Sequence, residues 1–245
     1  MFHRASRLGS ALAAVAAAMI IGGAPSGALA AGPRADVFSF LYPSSQSPTD
    51  SRVAGDKAVA GLNGAGYGAL DQNQKSAATA LSSTYGGSDA IWVMAGHGRA
   101  GALLFYNGSA LSEVAAESGV PSIGYPMTYI RSTAGLSDVR LMVFLACDTA
   151  ADVNTTLPDH GNLMNNAYFN RGVDSTVGFT GSILWEGERY WSDMFFTNLS
   201  QGKSISTAAS NAADYVMYTF MTYGGFDTDR VYNGSPTVLP AGFGH

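Results

Sequence analysis

Two long apolar runs constrain the fold of this chain more than any other feature. They cover residues 90–96 and 139–146, and Arg140 is the one charged residue in them. A strand with one solvated face alternates apolar and polar residues, so continuous runs of this length are typical of strands buried on both faces. Amphipathic helical patterns alternate with the strands along the chain, for example over residues 191–199 and 205–216. The sequence therefore predicts an α/β fold with a mainly parallel central sheet covered by helices on both faces.

Further elements follow from the same patterns. Strands are predicted over residues 36–42, 102–106 and 173–180, and helices over 72–83, 111–117 and the stretch from Leu163 to Gly172. Residues 55–70 are rich in Ala and Gly and predict a poor helix and a turn. Their glycine spacing is not that of a dinucleotide-binding loop. The tail, residues 226–245, is predicted to be irregular, with a strand, a lid and an inhibitory segment left open as its role.

Both apolar runs end in a residue that can do chemistry. The first is followed by His97 and Gly98, and the second by Cys147, which is the only cysteine of the chain. Ligands of parallel sheets bind at the carboxyl ends of the strands. The sequence therefore predicts that His97 and Cys147 share one site.

Each of these residues has a plainer interpretation. A free cysteine often behaves as a small buried hydrophobe, but polar Asp148 and Thr149 directly after Cys147 indicate a strand end. A helix beginning nearby would favour the thiolate, whereas the charge of Asp148 would oppose it. A lone histidine is usually a hydrogen-bonded core or loop residue, and His160 remains the alternative partner of the thiol.

The amino end predicts export. Residues 1–30 carry two arginines, an uncharged apolar stretch and a small-residue cleavage pattern, which together indicate a secretory signal peptide. The remainder, residues 31–245, is expected to form a single domain with a net charge of about −7, because the leader holds two of the basic residues. This charge argues against nucleic acid and anionic membranes as partners. We expect a secreted protein without a membrane anchor, and the sequence leaves its oligomeric state open.

The order and spacing of these motifs resemble the clan CD cysteine peptidases, which include caspases, legumains, clostripain, gingipains and CHAT-type members. The resemblance rests on the apolar run ending in His97-Gly98 and the run ending in Ala146-Cys147. CHAT-type members are similar over three further stretches, namely residues 103–112, 162–179 and 192–212. The resemblance covers about residues 36–223 and implies a three-layer α/β/α caspase-like fold. The caspase glutamine-alanine-cysteine signature is absent, so the resemblance does not extend to caspase specificity.

The resemblance also implies a mechanism. Cys147 would attack a peptide carbonyl and form a thioester, while His97 would protonate the leaving amine. The backbone N–H groups of Gly98 and Cys147 would stabilise the oxyanion. No metal or cofactor is implied by a known motif, and calcium dependence is left open, since Asp227 and Asp229 lack the spaced oxygen ligands of a known calcium loop.

Several clan members cleave after basic residues by means of an acidic pocket. Five acidic residues of this chain are possible contributors, although each taken singly is expected to be a solvated loop charge: Asp148, Asp152, Asp159, Glu186 and Glu188. Asp148 is the first candidate for substrate binding, because it adjoins the nucleophile.

Three functions are compatible with the sequence. The first is a secreted cysteine endopeptidase that acts on proteins or peptides through a His97–Cys147 dyad. The second is a catalytically silent relative that serves as a binding module. The third is a cysteine hydrolase or acyltransferase that acts on a non-peptide substrate.

Overall fold

The protein is described from a computed structural model. The described residues are 33–42, 49–73, 75–80, 89–105, 110–112, 127–130, 136–152, 162–221 and 223–239. The predicted leader, His160, Asp159 and residues 113–117 of one predicted helix lie outside these residues. Their assignments stay predictions.

A six-stranded sheet organises the described part of the chain. Its strands are β1 (Arg34–Ser39), β4 (Gly68–Asp71), β5 (Asp89–Ala95), β10 (Leu141–Leu145), β11 (Thr176–Phe179) and β12 (Asp229–Tyr232). They lie in the order β12-β11-β10-β5-β1-β4. Within this sheet, neighbouring strands among β4, β1, β5, β10 and β11 pair in parallel, and β12 pairs antiparallel with β11. The predicted mainly parallel sheet is therefore confirmed.

Smaller elements flank this sheet. Strands β2 (Leu41–Tyr42) and β3 (Thr49–Asp50) form a short pair, and β6 (Gly98–Arg99), β7 (Ala102–Leu104), β8 (Ala110–Ser112) and β9 (Met127–Tyr129) form a second sheet. The helices are α1 (Arg52–Gly64), α2 (Ala77–Ala80), α3 (Leu163–Asn165), α4 (Trp185–Ser200) and α5 (Ile205–Thr219). A π-helical turn, Asn166–Asn170, continues α3, and a 3-10 turn, Phe226–Thr228, precedes β12.

The two faces of the sheet have separate cores because successive residues of a strand point to opposite sides. On β5, Ile91 and Val93 join the cluster beneath α1, α4 and α5, whereas Trp92 and Met94 join the cluster on the other face. Strand β10 divides in the same way, and all five of its residues are buried. Full burial of an aliphatic or aromatic side chain contributes about 1.5–3 kcal/mol. The continuous apolar runs are thus required by a sheet packed on both sides, and the three-layer α/β/α prediction is confirmed.

Strands β4, β8 and β12 lie where the sequence predicts other structure. Strand β4 falls in the stretch predicted to be a helix and a turn, and its one buried residue, Ala69, leaves almost no apolar pattern. The helix predicted from residue 111 is wrong at its start, because β8 extends to Ser112 and pairs with β7 and β9. The tail is not irregular throughout, since β12 forms the edge of the main sheet. In all three cases pairing with a neighbouring strand, which sequence periodicity does not report, decides the conformation.

Candidate functional site

Strands β5 and β10 are neighbours in register, and this places the ends of both apolar runs side by side. Ala95 pairs with Leu145, and the N–H of Gly96 donates to the carbonyl of Leu145 at 3.2 Å. His97 and Cys147 each follow two residues after this pair. The predicted meeting of the two residues at one sheet edge therefore holds for their backbones.

Gly98 lies directly against the backbone of Cys147. A Cβ atom at position 98 would overlap the carbonyl oxygen of Cys147 and would lie 3.0 Å from its nitrogen, which is tighter than most real contacts. Because the overlapping atom belongs to the backbone, only glycine fits without a backbone shift. The approach explains the glycine that follows the histidine in the sequence.

The orientation of the Gly98 N–H follows from the short β6–β7 hairpin. Gly98 lies opposite Leu103, and at the next position the N–H of Leu104 donates to the carbonyl of His97 at 2.8 Å. Antiparallel pairs alternate between hydrogen-bonded and non-hydrogen-bonded positions. Gly98 therefore occupies a non-hydrogen-bonded position, and its N–H is directed away from β7.

The thiol of Cys147 contacts the segment that joins β11 to α4. The N–H of Ile183 donates to Sγ at 3.3 Å, and Sγ lies 3.4 Å from the carbonyl oxygen of Ile183, to which it can donate. Cys147 also packs against the core beneath α1, α4 and α5. The thiol is consequently half-buried and held against the backbone of a residue that no sequence motif connects with it.

Burial is the main reason that the pKa of the Cys147 thiol is raised, and the charges of Glu188 and Asp148 raise it further. The hydrogen bond from the Ile183 N–H lowers it, but to a smaller extent than burial raises it. No helix begins within residues 148–152, directly after the nucleophile. The helix that begins two residues after Ile183 is α4, so its amino end follows the segment that contacts the thiol. The thiol is therefore protonated at neutral pH in this arrangement.

The side chain of His97 is exposed, in contrast to the thiol. The protein atoms around it still remove part of its hydration, and this desolvation lowers the pKa of the imidazole. Lowering favours the neutral ring at pH 7, which is the form that can accept a proton.

A tight turn follows Cys147. Asp148 has a positive φ of 55°, which aspartate tolerates better than most residues, and its N–H donates to the carbonyl of Gly181 at 3.1 Å. The buried Thr149 hydroxyl lies 3.1 Å from the carbonyl oxygen of Ala146 and accepts a bond from the N–H of Phe179 at 3.3 Å. These bonds attach the turn to the end of β11 and so fix the position of the nucleophile.

Asp148 is only partly exposed, and desolvation raises the pKa of its carboxyl. Its assignment to substrate binding is not tested by this geometry and stays a prediction. Asp152 is exposed, as a solvated loop charge should be.

Glu188 is not the solvated loop charge that the sequence predicts. It lies in the first turns of α4, where it is 2 % exposed. Burial raises the pKa of its carboxyl to about 8, with a further increase from Glu186 and a decrease from Ser51. No residue pattern near position 188 signals this burial, because it depends on how α4 packs in the assembled fold.

Within the described ranges, no group of three or more histidine, cysteine or acidic side chains has the geometry of a metal site. Among the same residues, no helix is long and apolar enough to cross a membrane.

Comparisons with known proteins give matches in structure alone. No family model matches the chain, and no curated protein is similar to it in sequence. Among solved structures, the Arg-specific cysteine proteinase gingipain R matches with a TM-score of 0.59 and 14% identity, over 85% of this chain and 47% of that one. A complex of the pro- and mature domains of the same type of protein from Porphyromonas gingivalis gives 0.58 and 14%, over 85% and 48%. Caspase-1 from Spodoptera frugiperda gives 0.47 and 12%, over 82% and 86%.

The chain spans about half the length of the gingipain chains that it matches. At these identities the likeness concerns the fold and extends to no residue role. The predicted CHAT-type likeness is not addressed by these matches and stays a prediction. The chain thus shares its mainly parallel three-layer fold with cysteine proteases of the clan CD type.

Proposed function

We propose that this protein is a secreted cysteine endopeptidase in which Cys147 is the nucleophile and His97 is the general acid and base. The observation that carries the proposal is the contact of Gly98 with the backbone of Cys147 at the carboxyl edge of the sheet. This contact joins the backbones of the two strand ends, and it supports a site made of the Cys147 thiol, the His97 imidazole and the N–H groups of Gly98 and Cys147.

These groups and one water molecule account for every proton transfer in the reaction. The thiol loses its proton to neutral His97, directly or through water, and the thiolate adds to the peptide carbonyl. The N–H groups of Gly98 and Cys147 donate to the oxyanion, and one such donor contributes about 10²–10³ in kcat. His97 then gives its proton to the leaving amine as the C–N bond breaks. A water that His97 deprotonates adds to the thioester, the C–S bond breaks, and the released thiolate takes the proton back from His97.

A preference for basic residues before the scissile bond belongs to the same proposal. Acidic side chains near the thiol support it, as does the overall excess of acidic residues. The Arg-specific proteinase that shares the fold supports it as an analogy. Asp148 is the candidate that the sequence offers for this role. No cofactor is part of the proposal.

The test is cleavage of a diverse peptide library by the purified protein, followed by mass spectrometry of the products. Cleavage that disappears in a Cys147→Ala variant with an unchanged circular dichroism spectrum supports the proposal. Cleavage that persists in this variant contradicts it.

One observation favours a second candidate, a catalytically silent binding module. The thiol is held against Ile183, and its pKa is raised instead of lowered. A silent module would show no peptide cleavage and no reaction with peptide-based inactivators, although small thiol reagents would still modify Cys147. A non-peptide hydrolase, the third candidate, would differ by turning over simple esters or amides.

A further inference from the structure

We propose that Thr228, in the tail of the chain, is a positioning residue that holds the nucleophile Cys147 in place through the β11–α4 connection, residues 180–184. The inference rests on the proposed peptidase function and adds a residue to it. The sequence leaves open whether the tail is a strand, a lid or an inhibitory segment. Thr228 gives the tail a different role, which is to support the nucleophile.

The hydroxyl of Thr228 joins two segments of the chain because it both donates and accepts a hydrogen bond. It donates to the carbonyl of Gly225 at 2.6 Å, at the start of the 3-10 turn that precedes β12. It accepts a bond from the N–H of Gly181 at 3.1 Å. A hydroxyl with a partner on each side is held in one orientation. The side chain of Thr228 therefore attaches the β11–α4 connection to the tail.

Gly181 joins Thr228 to the turn that contains the nucleophile. The N–H of Gly181 donates to the Thr228 hydroxyl, and its carbonyl accepts a bond from the N–H of Asp148 at 3.1 Å. Asp148 follows Cys147 directly, so this N–H belongs to the peptide group that begins with the Cys147 carbonyl. A shift of Gly181 would therefore move the backbone of the nucleophile.

The same connection reaches the sulfur of the nucleophile two residues later. The N–H of Ile183 donates to Sγ of Cys147 at 3.3 Å, and the side chain of Ile183 is buried in the core. A misplacement of about 1 Å at a reacting group can cost about 10²-fold in rate. Cys147 is thus held at its backbone and at its sulfur by one connection, and Thr228 fastens that connection.

Two glycines allow the tail to approach the connection this closely. A Cβ on Gly181 would lie 2.9 Å from Cγ2 of Thr228 and 3.1 Å from its Oγ1. A Cβ on Gly225 would overlap the carbonyl oxygen of Ser182, and Gly225 has a φ of 90°, which favours glycine. The tail turn and the connection are therefore packed against each other through backbone atoms as well as through the Thr228 side chain.

The tail stays attached when the hydroxyl is removed. The N–H of Thr180 donates to the backbone carbonyl of Thr228 at 2.9 Å, and the buried ring of Phe226 packs edge-on against Phe179. Valine has the shape of threonine, so Thr228→Val keeps these contacts and removes the hydroxyl bonds to Gly181 and Gly225. The variant consequently tests the positioning of the nucleophile and not the loss of β12.

The experiment compares the wild type with Thr228→Val, Thr228→Ser and Thr207→Val. Thr228→Ser keeps the hydroxyl and is the conservative rescue. Thr207→Val is the matched control, because Thr207 is an exposed threonine on α5 whose hydroxyl accepts a bond from Ser204 at 2.8 Å. The quantities measured are amide hydrogen exchange by NMR, the rate of Cys147 alkylation by iodoacetamide, and kcat and KM for one peptide that the wild type cleaves.

Amide exchange reports on the connection itself. We expect the amides of Gly181 and Ile183 to exchange about tenfold faster in Thr228→Val, because the Gly181 N–H loses its partner and the connection opens more often. The amide of Ala150 donates to the carbonyl of Phe179 at 2.8 Å and should keep its wild-type rate. A merely structural role would accelerate all three amides alike and would overturn the inference.

The reactions of Cys147 should change in opposite directions. We expect Thr228→Val to lower kcat about tenfold with KM within about twofold, because the nucleophile is misplaced after the substrate has bound. Iodoacetamide should modify Cys147 about tenfold faster, because an opened connection covers the thiol less. Thr228→Ser should restore both values, and Thr207→Val should change neither. If Thr228→Val does not fold, Gly181→Ala displaces the Thr228 side chain and should give the same pattern.

An unchanged kcat in folded Thr228→Val would overturn the inference and leave the peptidase function in place. If the wild type cleaves no peptide, the proposed function fails, and the exchange and alkylation rates still test the positioning of the thiol. In that case wild-type rates in Thr228→Val would overturn the inference, and faster rates at Gly181, Ile183 and Cys147 would support it.

Discussion

The ends of β5 and β10 lie side by side, but they place their functional side chains in different surroundings. The imidazole at the end of β5 is exposed, and the chain continues from it into a short hairpin. The thiol at the end of β10 is half-buried against Ile183. Desolvation acts on both groups and favours the neutral form of each. At rest, both groups therefore favour their neutral forms, which argues against a preformed thiolate–imidazolium pair.

This difference shows that activation has to come from outside the resting arrangement. The proton acceptor is accessible, but the nucleophile is half-buried, and ionisation of Glu188 or Asp148 would raise the pKa of its thiol further. A substrate that replaces water and carries a positive charge changes the environment of the thiol more than that of the imidazole. Substitutions at the β5 end and at the β10 end should therefore change different measured properties of the protein.

Removal of the imidazole should have the largest effect on turnover. We expect His97→Ala to lower kcat/KM by about 10²–10⁴, because general acid–base catalysis contributes this much. His97 is exposed, so the free energy of unfolding should change by less than about 0.5 kcal/mol. Steady-state kinetics and urea denaturation measure the two quantities. His160→Ala is the control, and a comparable loss of activity in that variant would assign the role to His160.

The buried acid beside the thiol should appear in the pH dependence of stability. The folded-state pKa of Glu188 is about 8, above the ordinary value of about 4.3, so the folded protein binds the proton more tightly than the unfolded chain does. Stability due to this group is complete below pH 4 and falls by about 1.4 kcal/mol per pH unit between these two values. We expect Glu188→Gln to become more stable than the wild type as the pH rises from 5 to 8 in urea denaturation. If the free energies of unfolding of the two proteins change with pH in the same way, the burial assigned to Glu188 is contradicted.

The contact between the two strand ends can be broken at Gly98. A Cβ at this position meets the carbonyl oxygen and nitrogen of Cys147, so Gly98→Ala should move the backbone and lower kcat by about 10²–10³ through loss of an oxyanion donor. Overpacking of this kind costs about 1–3 kcal/mol of stability. Gly68→Ala is the control, because a Cβ there meets nothing within 4 Å. The measurements are kcat and the thermal unfolding of both variants. Full activity of Gly98→Ala would mean that Gly98 is not an oxyanion donor.

The pH dependence of the alkylation rate of Cys147 reports on the thiol alone. Because burial and two acidic neighbours raise the pKa of Cys147, the thiolate fraction at pH 7 is smaller than that of a free cysteine, whose pKa is about 8.5. Iodoacetamide modification should rise about tenfold per pH unit through the neutral range and still increase at pH 9. A plateau below pH 8 would mean that the thiol is already activated at rest.

The sequence predicted the parts of the site that depend on a single strand and its end. Cys147 and His97 follow apolar runs that only a doubly covered parallel sheet can bury, so their place at one edge was foreseeable. The resemblance implies that the N–H groups of Gly98 and Cys147 share an oxyanion site, which stays a prediction, but the close contact of Gly98 with the Cys147 backbone depends on two strands in register.

Features that depend on packing between distant segments could not be predicted. Ile183 reaches the thiol because the β11–α4 connection folds over the end of β10, and no residue pattern near position 183 reports this. The same holds for Glu188, whose carboxyl would be solvated on an isolated helix and is buried only in the assembled fold. The sequence left a strand open as one of three roles for the tail and could not select it for a related reason. The half-buried side chains of β12 carry a weak pattern, and its pairing with β11 stabilises it.

The central claim is that Cys147 is a nucleophile served by a peptide-binding site. The most direct test compares two rates of Cys147 modification in the same protein, one with a peptidyl acyloxymethyl ketone that ends in arginine and one with iodoacetamide. We predict one equivalent of peptidyl label per chain, at a rate far above that of iodoacetamide at pH 7 and absent in Cys147→Ala. Modification by iodoacetamide without any reaction of the peptidyl ketone would contradict the claim and favour a silent binding module.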